Sequence, residues 1–132
     1  MSDTKGIRVV AAEIERDGRY LITQRRPTAI LPLLWEFPSG RVEDGETDQS
    51  ALCREIVERL GIDVKVEQLS MFLKHEYEDY VLDFCVYRCS LISENIETRR
   101  VHDWKWVTPA EMDQYEFPPA DAKTIQKLID NR

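Results

Sequence analysis

The residues best equipped for chemistry lie between Gly40 and Ile62, in the run GRVEDGETDQSALCREIVERLGI. Glu55 and Glu58 stand three residues apart, so on a helix they project from neighbouring turns of one face. Leu52, Ile56 and Leu60 recur at i, i+4 and i+8 and mark the opposite, buried face. Two carboxylates on a rigid shelf suit a hard divalent cation. Mg²⁺ takes oxygen ligands, keeps several waters and commonly completes its shell with phosphate oxygens. An ion held there would neutralise phosphate charge and lower the pKa of an attacking water. Arg54 is expected to pair with Glu46 or Glu58 and so hold the preceding loop to the helix. A plainer reading of the same residues is an ordinary surface helix laced by exposed Arg54–Glu58 and Glu55–Arg59 pairs at i, i+4.

The elements that must position these groups can be read on either side of them. Residues 47–60 contain neither Gly nor Pro, Thr47 or Asp48 can cap the start, and Gly61 ends the turn. Before this helix, Ile7–Arg16 is rich in Val, Ile and Ala, meets Asp17-Gly18, and resumes at Tyr20-Leu21-Ile22, which predicts a β-hairpin. Residues 25–34 hold Arg25, Arg26, Pro27 and Pro32 and read as a loop. Trp35-Glu36-Phe37 follows as a short strand stopped by Pro38, and Ser39-Gly40 reads as a turn. After the helix, strands are predicted over Ile62–Val66, over Leu69–Tyr77 paired with Tyr80–Leu91, and over Trp104–Val107. Thr108-Pro109-Ala110-Glu111 has the cap, first-position proline and third-position glutamate of a short helix. A last helix is expected from Asp121 to Asp130. Antiparallel hairpins interrupted by helices argue for an α/β chain whose mixed sheet is sandwiched between helices.

The chain has 132 residues, enough for one domain with its own core. Its formal net charge of -7 works against long nucleic acid, whose binding depends on clustered Lys and Arg. A small anion carried with a metal ion is a different matter, because acidic residues in a cleft attract the cation, which neutralises a polyphosphate. Apolar runs fall short of the roughly 20 residues that span a bilayer, and the polar stretch Met1–Gly6 lacks the apolar core of a secretory signal. No membrane partner and a cytoplasmic location are therefore expected. Cys53, Cys85 and Cys89 lack a CxxC pairing and are read as reduced thiols packed in the core.

The spacing Gly40, five residues, Glu46, seven residues, Arg54-Glu55, Ile56, Glu58, Gly61, Ile62 resembles the signature of the Nudix hydrolases. At residue frequencies of about 1 in 15, six fixed positions coincide by chance about once in 10⁷ starting points. The segments VVAAEIERDGRYLITQRRP, LLWEFPSGRVEDGE and FPPADAKTIQKL extend the likeness over nearly the whole chain. They are similar to MutT-type enzymes, and ERDG, QRRP and LWEF to the CTP pyrophosphohydrolase group within them.

The resemblance implies a Nudix α/β/α sandwich that hydrolyses a (deoxy)nucleoside triphosphate to the monophosphate and pyrophosphate, sanitising the nucleotide pool. CTP, 5-methyl-dCTP and 8-oxo-dGTP are the candidate substrate types. It implies Mg²⁺, or Mn²⁺ in its place, on Glu55, Glu58 and the Ser39 carbonyl, with Glu55 also a candidate general base. It further implies Arg25 on phosphate, and Glu36, Phe37, Phe117 and Asp121 around the base, in a monomer or a homodimer. Phe37 and Phe117 read equally well as core, and Asp121 as a helix cap. In MutT the position matching Asp121 is an Asn that reads 8-oxoguanine. An ionised Asp accepts but cannot donate, which suits the amine of cytosine or the N1 and N2 hydrogens of a guanine-type base.

Two positions depart from the family pattern. Arg59 stands where the last glutamate of the box belongs, and Arg100 stands where MutT-type enzymes offer another acidic ligand. A guanidinium about 5 Å from a divalent ion is repelled by several kcal/mol at an effective dielectric near 20. Arg59 is therefore expected to swing away or bind phosphate, with Glu97 and Asp103 near enough in sequence to substitute as ligands. Two rival readings follow: a nucleotide-binding module without turnover, and an RNA 5′-pyrophosphohydrolase.

Overall fold

The Asp17-Gly18 step takes up φ of 52° and 79°, the left-handed pair that a two-residue hairpin turn requires. It joins strand β1 (Lys5–Arg16) to β2 (Arg19–Gln24), as expected. This computed structural model describes residues 5–76, 78 and 80–118. The expected helix over Asp121–Asp130, and Asp121 itself, lie outside the described residues.

β1 is the spine. Along one edge it runs parallel to β6 (Tyr80–Leu91), from Lys5 opposite Tyr80 to Ile14 opposite Cys89. β5 (Val64–Glu76) pairs antiparallel with the far side of β6. Along its other edge β1 pairs with β4 (Ser39–Arg41) at Val9–Ala11, then with β2 at Glu15 and Arg16. β2 in turn holds β3 (Trp35–Glu36) and β7 (Asp103–Val107). The sheet is thus mixed, as the α/β reading requires.

Two expectations are corrected. Ser39-Gly40 is no turn but part of β4, held by pairing with β1 that no local signal announces. The separate strands over Ile62–Val66 and Leu69–Tyr77 are one strand, β5, with register shifts at Val66/Leu69 and Leu69/Met71 that break the alternation while keeping the pairing.

Helix α1 (Asp48–Leu60) begins at Thr47, whose side chain accepts from the Ser50 N–H while the Ser50 hydroxyl accepts from the Thr47 N–H. Gly61 ends it at φ 66°, donating to the Val57 carbonyl. Ala51, Leu52, Ile56 and Leu60 are fully buried against Val10, Ala12 and Ile14 of β1 and Cys85 of β6. Each of the larger side chains contributes about 1.5–3 kcal/mol of transfer free energy. The N-terminus of α1 is pinned separately. Arg8 of β1 donates from Nε and Nη2 to the two Asp48 oxygens at 2.7 and 2.8 Å, and the Tyr87 hydroxyl donates to the same carboxylate. Arg8 holds Asp48 below the usual carboxylate range, and burial pushes the Tyr87 phenol up to about 12. Cys85 and Cys89 are buried and all three thiols are free, with burial pushing Cys89 up to about 12. Among the described residues, no helix is long and apolar enough to cross a membrane.

Pro109–Gln114 forms a 3₁₀ helix with the full Thr108–Glu111 capping box, which the sequence announces correctly.

Candidate active site

Arg54 organises the C-terminal half of α1. Its Nε and Nη2 grip both Glu46 oxygens at 2.7 and 2.9 Å, and Nη2 also reaches the Arg41 carbonyl. Nη1 meets Glu55 at 3.1 Å and Glu58 at 3.5 Å. One guanidinium thereby ties the loop before α1 to both shelf carboxylates, the tethering role that its pairing options suggested. Arg54, helped by the Glu43 N–H, holds the Glu46 carboxyl below the usual range. Glu46 is thus an anchor for Arg54, not a free acid.

Gly40 shows why the run opens with glycine. A Cβ on it would collide with Cγ and Cδ of Glu55 and lie 2.6 Å from Oε1. The β4 backbone, with buried Ser39 beside it, is therefore pressed against the Glu55 side chain.

Arg59 does not turn away. Its Nε donates to Glu55 Oε2 at 3.0 Å, because the i, i+4 spacing brings it within reach of a carboxylate that has no other cation on that oxygen among the described residues. Arg100 approaches Glu58 at 3.7 Å from a loop whose backbone is seated on the helix end. There Arg99 and Arg100 donate their N–H groups to the Arg59 carbonyl, and Glu97 donates to the Leu60 carbonyl. These bonds satisfy carbonyls that a helix C-terminus leaves open. Glu97 pairs with Arg99, and Asp103 accepts from the Trp104 N–H. Neither lines the cleft, so the expectation that they stand in as ligands is not met.

The cleft beside these groups has a volume of about 620 Å³. Glu55 and Glu58 line it with Glu36 and Glu43. Six arginines face them: Arg25, Arg26, Arg41, Arg54, Arg59 and Arg100. In a chain of net charge -7, the cationic excess is concentrated here, which favours a polyanion. Among the described residues, no group of three or more His, Cys, Asp or Glu is arranged to hold a metal ion. The two carboxylates still fit Mg²⁺, which is commonly held by one or two carboxylates when phosphate supplies further oxygens.

The groups assigned to substrate are placed unevenly. Arg25 lines the cleft, but its Nε donates to the Ile30 carbonyl at 2.7 Å and Nη1 pairs with Glu36 at 3.3 Å, leaving the side chain 8% exposed. Its charge is thus shared with Glu36. Arg26, passed over beside it, is exposed and makes no ion pair among the described residues. The dipeptide Arg25-Arg26 was the available signal; deciding which arginine faces outward needed the fold. Arg41 was also missed, since nothing local marks a cation in so short a strand. The Phe37 and Phe117 rings lie 6.1 Å apart beside Ile22, Trp35 and Val107, part of the core and not lining the cleft.

Comparison with known proteins gives a consistent picture. The sequence model of a family described as NUDIX domain matches residues 9–127. A CTP pyrophosphohydrolase of Escherichia coli (strain K12) is 33% identical over 125 residues, covering 95% of this chain and 93% of the relative. An 8-oxo-dGTP diphosphatase of Haemophilus influenzae is 34% identical over 131 residues, covering 96% and 94%. The solution structure of the E. coli ORF135 protein superposes with a TM-score of 0.74 at 31% identity, covering 96% of this chain and 91% of that one.

Proposed function

The chain belongs to the Nudix family, and from that premise we propose that it is a pyrophosphohydrolase of the nucleotide pool, converting a (deoxy)nucleoside triphosphate to the monophosphate and pyrophosphate. The observation that carries this reading is the cleft itself, in which two shelf carboxylates on α1 face an arginine-rich wall beside a glycine-limited backbone. The relatives named for CTP and 8-oxo-dGTP hydrolysis align over nearly their whole length, which supports the same reaction class.

A divalent cation accompanies the family's reaction, and Mg²⁺ is assigned to Glu55 and Glu58, with the Ser39 carbonyl as a further ligand. Bound there, it supplies charge neutralisation at phosphate and an acidified water. The chain's own residues do the rest. Arg54 fixes the rotamers of Glu55 and Glu58 and locks the Glu46 loop in place. Glu55, once Arg59 has left its Oε2, is the candidate to accept a proton from water. Arg26 and Arg41, which line the cleft, are assigned to phosphate oxygens, and Arg25, its side chain largely buried, supports the Glu36 side of the cleft. Asp121 and Glu36 are both assigned to the base on sequence grounds. Phe37 and Phe117 pack in the core away from the cleft lining, so no contact with the base is assigned to them.

A panel of ordinary and modified nucleoside triphosphates with Mg²⁺ or Mn²⁺ tests the reaction: pyrophosphate release is expected, and binding without turnover on every member would leave only a nucleotide-binding module. Triphosphate-capped RNA belongs in the same panel, with weaker activity expected on it. Asp121→Asn is expected to shift preference toward 8-oxo-dGTP; an unchanged ranking would reduce Asp121 to a helix cap.

A further inference from the structure

Each shelf carboxylate already carries a cation of the protein's own. Arg54 occupies Glu55 Oε1 and Arg59 occupies Oε2, at 3.1 and 3.0 Å, while Glu58 Oε2 faces Arg54 at 3.5 Å and Arg100 at 3.7 Å. Arg54 is held elsewhere by Glu46 at two contacts, so it stays where it is when the carboxylates change partner. Arg59 and Arg100 have no second carboxylate among the described residues. Both line the cleft in which phosphate is assigned.

We propose that Arg59, assisted by Arg100, closes the shelf to a free divalent ion and opens it to an ion that arrives with polyphosphate, because the guanidinium that blocks Glu55 has phosphate oxygens to move to only when the nucleotide is present. A lone ion must displace Arg59 from Glu55 and leave it facing a like charge. An ion delivered on a triphosphate brings the oxygens that accept the displaced guanidinium, in the bidentate geometry that suits it. Arg59 thereby selects the metal–nucleotide complex as the species bound. The inference rests on the proposed reaction but is tested apart from it.

The test uses the full chain without nucleotide and follows Mn²⁺ by electron paramagnetic resonance. The wild-type chain is expected to immobilise no Mn²⁺ at a stoichiometric site up to roughly millimolar concentration, whereas Arg59→Glu should take up one ion at least about tenfold more tightly. Arg59→Gln removes the block without adding a ligand and should fall between the two. It also answers the question if the glutamate variant does not fold. A second arm titrates inorganic pyrophosphate into the metal-free protein in chelator. Here Arg59→Gln is expected to bind about tenfold more weakly than wild type, with Arg59→Lys restoring part of the loss. Wild-type uptake of Mn²⁺ as tight as that of Arg59→Glu would overturn the proposal, as would equal pyrophosphate affinity in wild type and Arg59→Gln. Neither arm needs turnover, so failure to hydrolyse any triphosphate would remove the assigned reaction and still leave the role of Arg59 decided by binding.

Discussion

Helix α1 carries an ionic cluster at each end, and the two are built on opposite terms. At the N-terminal end, Asp48 is 12% exposed, gripped by Arg8 through two hydrogen bonds and by the Tyr87 hydroxyl, between β1 and β6. At the other end, Glu58 is 39% exposed and meets Arg54 and Arg100 only at 3.5 and 3.7 Å, facing an open cleft. The first cluster is short and both oxygens of its carboxylate are taken, so Asp48 has nothing left to offer a ligand even though Arg8 is partly exposed. At Glu58 the contacts are longer and open to the cleft, and Arg54, Arg59 and Arg100 crowd the two carboxylates, so partners there can be exchanged. The looser cluster is the one to which the proposed chemistry is assigned. A tight salt bridge holds a helix in place; a loose one beside a cavity holds a charge in readiness.

Substitutions that separate the two ends test this contrast. The largest effect is expected from Glu58→Gln, which should lower kcat by at least roughly a hundredfold, about 2.7 kcal/mol of barrier, while Tm stays within a few degrees of wild type. Full activity in that variant would place the metal shelf elsewhere. Next comes Gly40→Ala, whose new methyl must push the Glu55 side chain aside. A loss of roughly ten- to a hundredfold in kcat/KM is expected from misplacement alone, and wild-type kinetics would mean that Glu55 has room to spare. The smallest effect on turnover belongs to Asp48→Asn. It should cost about 1–2 kcal/mol of stability, discounted because Arg8 is partly exposed, with kcat/KM unchanged.

The pH dependence sharpens the last comparison. Asp48 is held below its ordinary value of 3.8, mainly by Arg8, so its folded carboxylate binds protons less readily than the unfolded one. Its contribution is therefore full above that value and is lost as pH falls through the lowered folded value. The difference in Tm between wild type and Asp48→Asn should be constant near neutrality and shrink below about pH 4. A difference that persists into stronger acid would assign the effect to packing.

How much of this the sequence disclosed depends on the range of the interaction. The α1 limits, the Glu55 and Glu58 face, the Arg59–Glu55 contact and the Thr108 capping box all follow from spacings of three or four residues, where helix geometry fixes who meets whom. The plain surface-helix reading even named the two i, i+4 pairs correctly. It could not register the Glu46 grip of Arg54 or the cleft, which set this helix apart. Strand β4 was hidden because three residues around a glycine become a strand only by pairing with β1. The Arg8–Asp48 bond spans 40 residues and joins strand to helix, so no local pattern carries it. The pairing of Arg25 with Glu36 depends on the path of the loop between them, in which Leu31 and Leu33 take up left-handed backbone at φ 53° and 65°.

The seating of the 97–100 loop on the end of α1 has one more consequence. The bonds to the Arg59 and Leu60 carbonyls are made by the backbone N–H groups of Glu97, Arg99 and Arg100, and Val101 anchors the next position in the core. The Arg100 side chain, 63% exposed and 3.7 Å from Glu58, is therefore not what seats the loop, and at position 59 it is the carbonyl that does the holding. At both positions the backbone seats the frame while the side chain sets the charge of the cleft, so scaffold and ionic lining are carried by different atoms of the same residues.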